Sequence, residues 1–345
     1  MIINLTVTKN NVIFFSVFLL FAGMFIVIFF SPSIFLIITL EVQAQKESEQ
    51  SKDNNKDLEN CILYDKSENV ISITCKYANF ADVSKEITDP NILKDESTIT
   101  TATTTTTNNT IDNNTKEKVW LLYAGLKIEE NALLDINSND VTWLKIIPSK
   151  KSPNAIEVDG TLKIDSVKIT SWNPKINDYF YFSDAVKYDE SQYKKEIRPY
   201  IKVNSKATGP TIIQNSELAY LGYSCSGCGG VTFNGGENSI LKNNDIHHIY
   251  KGFYSKGMKH MLIDGNRVYG NNKYGIDPHT GTFNMTIRNN IVYDNGNSGI
   301  ICSLDCYNIV IEDNEVYNNG INGTGRGIAF SINMYDSIAR NNYVH

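Results

Sequence analysis

The chain has 345 residues, of which 41% are apolar and 20% charged, with a formal net charge of −6. That length holds one large domain with extensions, and the apolar content is enough for a real core. The acidic balance excludes nucleic acid as the main partner, because phosphate binding demands a basic surface, but leaves room for an acidic polymer in a locally basic groove.

Residues 12–40 are almost wholly apolar, broken by little more than Ser31-Pro32-Ser33. That is longer than the ~20 residues a bilayer span needs. Lys9 supplies a positive flank and Val42-Gln43-Ala44 has the small-residue character of a cleavage site. Residues 1–44 therefore read as a signal peptide or a membrane anchor, and either places the rest outside the cytoplasm, at the cell surface or secreted. Residues 45–118 are polar, nearly all Thr at 98–107, with glycosylation sequons at Asn108 and Asn113. Such a stretch buries too little apolar area to order itself, so it reads as a disordered stalk, interrupted by a small Cys61–Cys75 hairpin.

The six cysteines fall in three close pairs: Cys61 with Cys75, Cys225 with Cys228, and Cys302 with Cys306. An even count in an exported chain predicts disulfides. No second C-x-x-C or His pair completes a metal site around Cys225 and Cys228, so no metal is assigned.

From residue 119 to 345 the texture changes to short β-rich runs between Asn, Asp and Gly turns, with no helical stripe. Gly230, Gly252, Gly275, Gly299 and Gly327 recur at gaps of 22, 23, 24 and 28. Asn244, Asn266, Asn290, Asn314 and Asn342 keep step at 22, 24, 24 and 28. Two ladders sharing one period define an all-β solenoid, a right-handed parallel β-helix with coils of 22–28 residues. Val231, Phe253, Ile276, Ile300 and Ile328 follow the glycines and are expected to stack inward. So are Leu241, Ile263, Ile287, Ile311 and Ala339, and Ile246, Val268, Val292, Val316 and Val344. The Asn ladder is expected at the tight turns, where Asn tolerates left-handed backbone.

Alternation then names the residues facing solvent after each glycine. The second positions are Thr232, Tyr254, Asp277, Ile301 and Ala329. The fourth are Asn234, Lys256, His279, Ser303 and Ser331. An acid, a base, a phenol and a cation thus converge at Asp277, His279, Tyr254 and Lys256. Pro278, which removes a ladder donor, predicts a bulge or strand end there.

The run Tyr274-Gly-Ile-Asp-Pro-His-Thr280 resembles the Y-G-[IF]-D-P-H signature of the mannuronan C5-epimerases. Further similar runs are Trp172-Asn-Pro174, Arg198-Pro-Tyr200, Tyr220-Leu-Gly-Tyr223, Gly252-Phe-Tyr254 and the segment from Asp165 to Pro174, so the resemblance spans about residues 119–345. It implies a β-helix isomerase that inverts C5 of uronate residues within an acidic polysaccharide, with His279 as base, Asp277 supporting it and Tyr274, or alternatively water, as proton donor. It implies no redox cofactor. The acidic nonapeptide modules through which secreted members use calcium are not found, so calcium is left to the Asp and Asn turns, for which plain solvation is the competing reading. From the residues alone, Lys256 is the candidate for holding the substrate carboxylate, with Tyr254, Asn234, Ser303 and Arg326 lining the groove.

Two departures stand out. One coil after His279 the periplasmic members carry Ser-Arg, whereas this chain has Ser303-Leu304-Asp305. The chain also stops at Asn341-Asn-Tyr-Val-His345, partway through a coil, so a shortened stack is expected. A polyuronate lyase and a non-catalytic, cell-surface carbohydrate-binding module are the competing readings, and a monomer is expected.

Overall fold

The structure, a computed structural model, describes residues 60–102, 113–149, 152–181, 197–321, 323 and 325–345, preceded by three strands. It divides into two compact units, Met1–Asp57 and Leu58–His345. In the first unit the strands Ile2–Val7, Ile13–Phe21 and Met24–Phe29 pair antiparallel in sequence order. The described part of the segment expected to export the chain is thus strand, in keeping with its β-branched and aromatic content. Among the described residues no helix is long and apolar enough to cross a membrane. Residues 30–44 lie outside the described residues.

The second unit is a right-handed parallel β-helix. Its coils each contribute one strand to three sheets of ten, nine and eleven strands. In the ten-stranded sheet Leu126, Ile156, Ile201, Val231, Phe253, Ile276, Ile300 and Ile328 stand in one unbroken register. Stacking of like on like makes the core: Val231, Phe253, Ile276 and Ile300 are fully buried, as are Leu241, Ile287, Ile311, Val268, Val292 and Val316. Burying each such side chain is worth roughly 1.5–3 kcal/mol. In the last described coil the equivalent residues Ala339 and Val344 are exposed.

Asn244, Asn266, Asn290 and Asn314 form an interior amide column rather than the turns themselves. Asn290 Oδ1 accepts from the backbone N–H of Asn266 at 2.9 Å and from its side-chain amide at 3.0 Å, while Asn290 Nδ2 donates to Ile263 O at 3.0 Å. The left-handed turn is taken by the residue before each ladder Asn: Asn243, Gly265, Asn289 and Asp313. That residue bends the chain, and the ladder Asn follows it into the interior. A second column, Asn271, Asn295 and Asn319, runs parallel to the first.

Disorder does not describe residues 60–97. Strand Val70–Ile73 pairs in parallel with Gly125–Ile128, and Leu93–Asp95 pairs antiparallel with Val119–Leu122. Helix Phe80–Glu86 opens on a reciprocal capping box between Asn79 and Asp82 and buries Phe80 and Val83 completely. Cys61 and Cys75 are disulfide-bonded. Ile62, Ile71, Ile73, Phe80, Val83, Ile87 and Leu93 of this polar stretch fall inward, although Leu63 is exposed, so the β-helix begins well before residue 119. Thr98–Ala102 and Asn113–Glu117 form an antiparallel pair, and residues 45–59 and 103–112 lie outside the described residues.

Candidate functional site

The outward face of the ten-stranded sheet carries the expected rows. Tyr254 pairs with Asp277 and Lys256 with His279; His279 pairs with Ser303, and Ser303 with Ser331. The face is less open than alternation implies. Asp277 and Thr232 are only 1% exposed and Ser303 8%, whereas Lys256 is exposed and Tyr254 and His279 half-buried.

The bulge falls at Gly252, one coil before Pro278. Gly230 pairs with Lys251 and Val231 with Phe253, leaving Gly252 as the extra residue. Alternation counted from Gly252 sends Lys251 inward; the bulge reverses that parity. Its ammonium stands 4.1 Å from the Tyr254 ring centroid and 5.9 Å from that of Tyr274. The sequence signal for Lys251 is faint: a cation directly before a ladder glycine, where other coils carry Gly229, Ser298 or Arg326.

Burial shapes the electrostatics. Desolvation pushes the Asp277 carboxyl up to about 7, opposed by the charge of Lys251, and its Oδ1 is buried without a hydrogen-bond partner. Desolvation lowers the His279 imidazole below the ordinary histidine value, and the neighbouring ammonium groups of Lys251 and Lys256 lower it further. Both groups therefore favour their neutral forms. His279 Nδ1 lies 2.6 Å from Thr280 Oγ1, which leaves Nε2 for another partner. The His279 ring leans on Tyr254 with centroids 5.4 Å apart. Burial, then the Asp277 charge, raises the Tyr254 phenol.

The remaining candidates divide. Tyr274 is half-buried, with its carbonyl accepting from Gly252 N at 3.0 Å and its ring facing the Lys251 ammonium. Arg326 belongs to the row that precedes the glycines, two coils beyond Tyr274, where its carbonyl accepts from Gly299 N. Asn234 lies two coils before His279. Cys225 and Cys228 are bonded, but Cys302 and Cys306 are free, buried thiols. Cys302 lies in the core, and the Cys306 thiol instead donates to Ser303 O. Among the described residues no group of three or more His, Cys, Asp or Glu is placed to hold a metal ion.

The sequence family described as "Right handed beta helix region" matches residues 179–344. Comparison with curated proteins gives no match. Among solved structures the chain is similar to the periplasmic alginate epimerase AlgG, with a TM-score of 0.62 at 19% identity over 78% of this chain and 58% of that one. A single-substitution variant of the same epimerase gives 0.60 at 19%, over 76% and 56%. The chain thus spans a little over half the length of the epimerase it matches.

Proposed function

We propose that this face binds an acidic polysaccharide and inverts C5 of a uronate residue within it, outside the cytoplasm. The observation that carries the reading is a half-buried imidazole, His279, on the face of a β-helix beside Tyr254, its neutral form favoured by burial and by the charges of Lys251 and Lys256. The reaction needs a base for a weakly acidic proton α to a carboxylate, neutralisation of the charge that develops there, and a donor on the opposite face of the ring. His279 Nε2 takes the C5 proton, provided that Nδ1 keeps its hydrogen and donates to Thr280 Oγ1. The electron pair of the broken C–H bond moves into the carboxylate, where the Lys251 and Lys256 ammonium groups meet it. Asp277, while protonated, donates a hydrogen bond to the same carboxylate. Tyr274 or water then returns a proton to the other face of C5. Leu304 carries no charge where the resembling family has arginine, and Lys251, at the opposite end of the strand row, is the cation offered in its stead. Likeness of fold to an alginate epimerase and the Asp277-Pro278-His279 motif support the assignment, and two disulfides suit an oxidising compartment.

The test is incubation of the purified protein with polymannuronate and other polyuronates in D2O, followed by NMR. Deuterium at C5 without chain cleavage is the expected result, abolished in His279→Ala. An ultraviolet-absorbing unsaturated end identifies a lyase instead. Binding with no turnover, unchanged by His279→Ala, identifies a carbohydrate-binding module.

A further inference from the structure

One segment roofs the working face on the side nearer the N-terminus. Residues 223–229 leave the Glu217–Ala219 side of a coil and cross outside the ten-stranded sheet before the chain enters strand Gly230–Phe233. Three outward rows are touched: first that of the ladder glycines, then the second-position row and the fourth-position row. Tyr223 and Cys228 pack on Tyr200 and Ala155 in the first row. Gly227, at φ +83°, lies so close to Lys202 of the second row and Asn234 of the third that an added Cβ would meet Asn234 Nδ2 at 3.0 Å and Lys202 Cε at 3.6 Å. Gly229 lies against the stem of Lys251. Beneath this roof Thr232 is 1% exposed and its Oγ1 has no hydrogen-bond partner.

The segment is built to stay in place. Cys225 and Cys228 close it into a tight loop, Tyr223 N donates to Cys228 O at 2.9 Å, and Tyr250 Oη donates to Ser224 Oγ at 3.2 Å. Its base is fixed by Arg198, a guanidinium only 1% exposed that donates to Gly222 O and Leu221 O at 2.8 Å each and to His248 O at 3.2 Å. A buried cation that donates two hydrogen bonds to carbonyls of the loop base and a third to the next coil ties that loop to the solenoid and holds it against thermal opening.

Beyond the roof the same sheet face continues as a hollow of about 520 Å³ lined by Asp65, Glu68, Glu129 and Glu157 against one cation, Lys127. An anionic polymer is repelled there. A cleft of about 760 Å³ adjoins the His279 site and runs from Thr280 and Lys256 past Asn234 and the roof's Ser226 to Ser205 and Pro210, one coil before strand Gly230–Phe233.

We infer that residues 223–229 are a specificity-determining strap that makes the protein act near one end of its polysaccharide rather than along the interior. The inference rests on the polyuronate reading above. The strap crosses two coils before Asp277, or ~10 Å at the 4.8 Å rise of parallel strands. A 1,4-linked pyranose advances by about the height of one coil, so on the order of two residues fit between the reacting sugar and the strap. The chain end lodges in the cleft at Ser226, Asn234 and Lys256, and the rest of the polymer leaves toward Ser303 and Ser331.

A defined oligouronate of ten residues, tagged at one end, tests this in D2O with the wild-type protein. Mass mapping is expected to find C5 deuterium confined to the first few residues from one end, and deuterium spread through the interior overturns the strap. Calorimetric affinity is expected to stop rising at about five residues of oligomer length, and it reports even without turnover. Absence of deuterium with such a plateau defeats the epimerase reading and keeps the strap; a continued rise to ten residues defeats the strap alone. In Cys225→Ser/Cys228→Ser the labelled window is expected to widen at least twofold, and an unchanged window in the folded variant counts against the strap.

Discussion

Asp277 and His279, two residues apart on one strand, are displaced in opposite directions by the same cause: burial raises the carboxyl to about 7 and lowers the imidazole. Their neutral forms coexist in a window just below pH 7. If neutral His279 is the base and protonated Asp277 the donor, kcat/KM follows a bell. Its acid limb lies below the ordinary histidine range and its alkaline limb near 7. In Asp277→Asn the alkaline limb is expected to vanish while the acid limb stays. An alkaline limb that survives this substitution removes Asp277 from the role.

The same carboxyl makes stability depend on pH. Its folded value lies above its ordinary value of 3.8, so between about pH 4 and 7 the native state holds a proton that the unfolded chain has released. Stability is full below that interval and falls as pH rises through it. Asp277→Asn is expected to be more stable than the wild type at pH 8, by on the order of 4 kcal/mol at most, and near parity at pH 4. Denaturant midpoints at the two pH values give the comparison.

Lys251 and Lys256 are both cations on the working face, but Lys256 is exposed and screened, whereas Lys251 lies between the Tyr254 and Tyr274 rings. Lys251→Met is expected to lower kcat about 10²- to 10³-fold, the usual cost of one lost charge-stabilising contact. Lys256→Met is expected to cost roughly tenfold and to act more on KM. Equal losses in the two variants, measured by deuterium uptake, contradict the placement of Lys251 at the carboxylate.

Asn290→Ala tests the interior column. It removes the acceptor for the buried Asn266 N–H and the donor to Ile263 O, with an expected cost of about 3 kcal/mol. Asn289→Gly, at the adjoining left-handed turn, loses only its hydrogen bond to Asp264 Oδ1 and is expected to cost about 1 kcal/mol. Urea unfolding of the two variants separates the column from the bend.

The period was written in the glycine and asparagine spacings, and so were the inward rows, because each coil repeats the same burial. Asp277, His279, Tyr254 and Lys256 could be placed by counting twos. Counting failed at Lys251, since a bulge reverses parity without leaving a residue type that announces it. It failed also for Thr232 and Asp277, whose burial comes from other segments of chain and not from their own strands. Residues 60–97 were misread on composition, as their few apolar residues matter by position and not by number. Cys302 and Cys306 lie close in sequence, yet Cys302 sits in the core and the Cys306 thiol turns to a backbone carbonyl.

Each ladder amide touches its own coil and the coils on either side, and this sets how the solenoid assembles. Every contact of this kind spans only one repeat, so closing a new coil requires a neighbour already in place and little else. The β-helix is thereby a one-dimensional zipper with strong coupling between adjacent links. A fault in one link divides it into two blocks that melt separately, and hydrogen exchange would see the boundary at that coil.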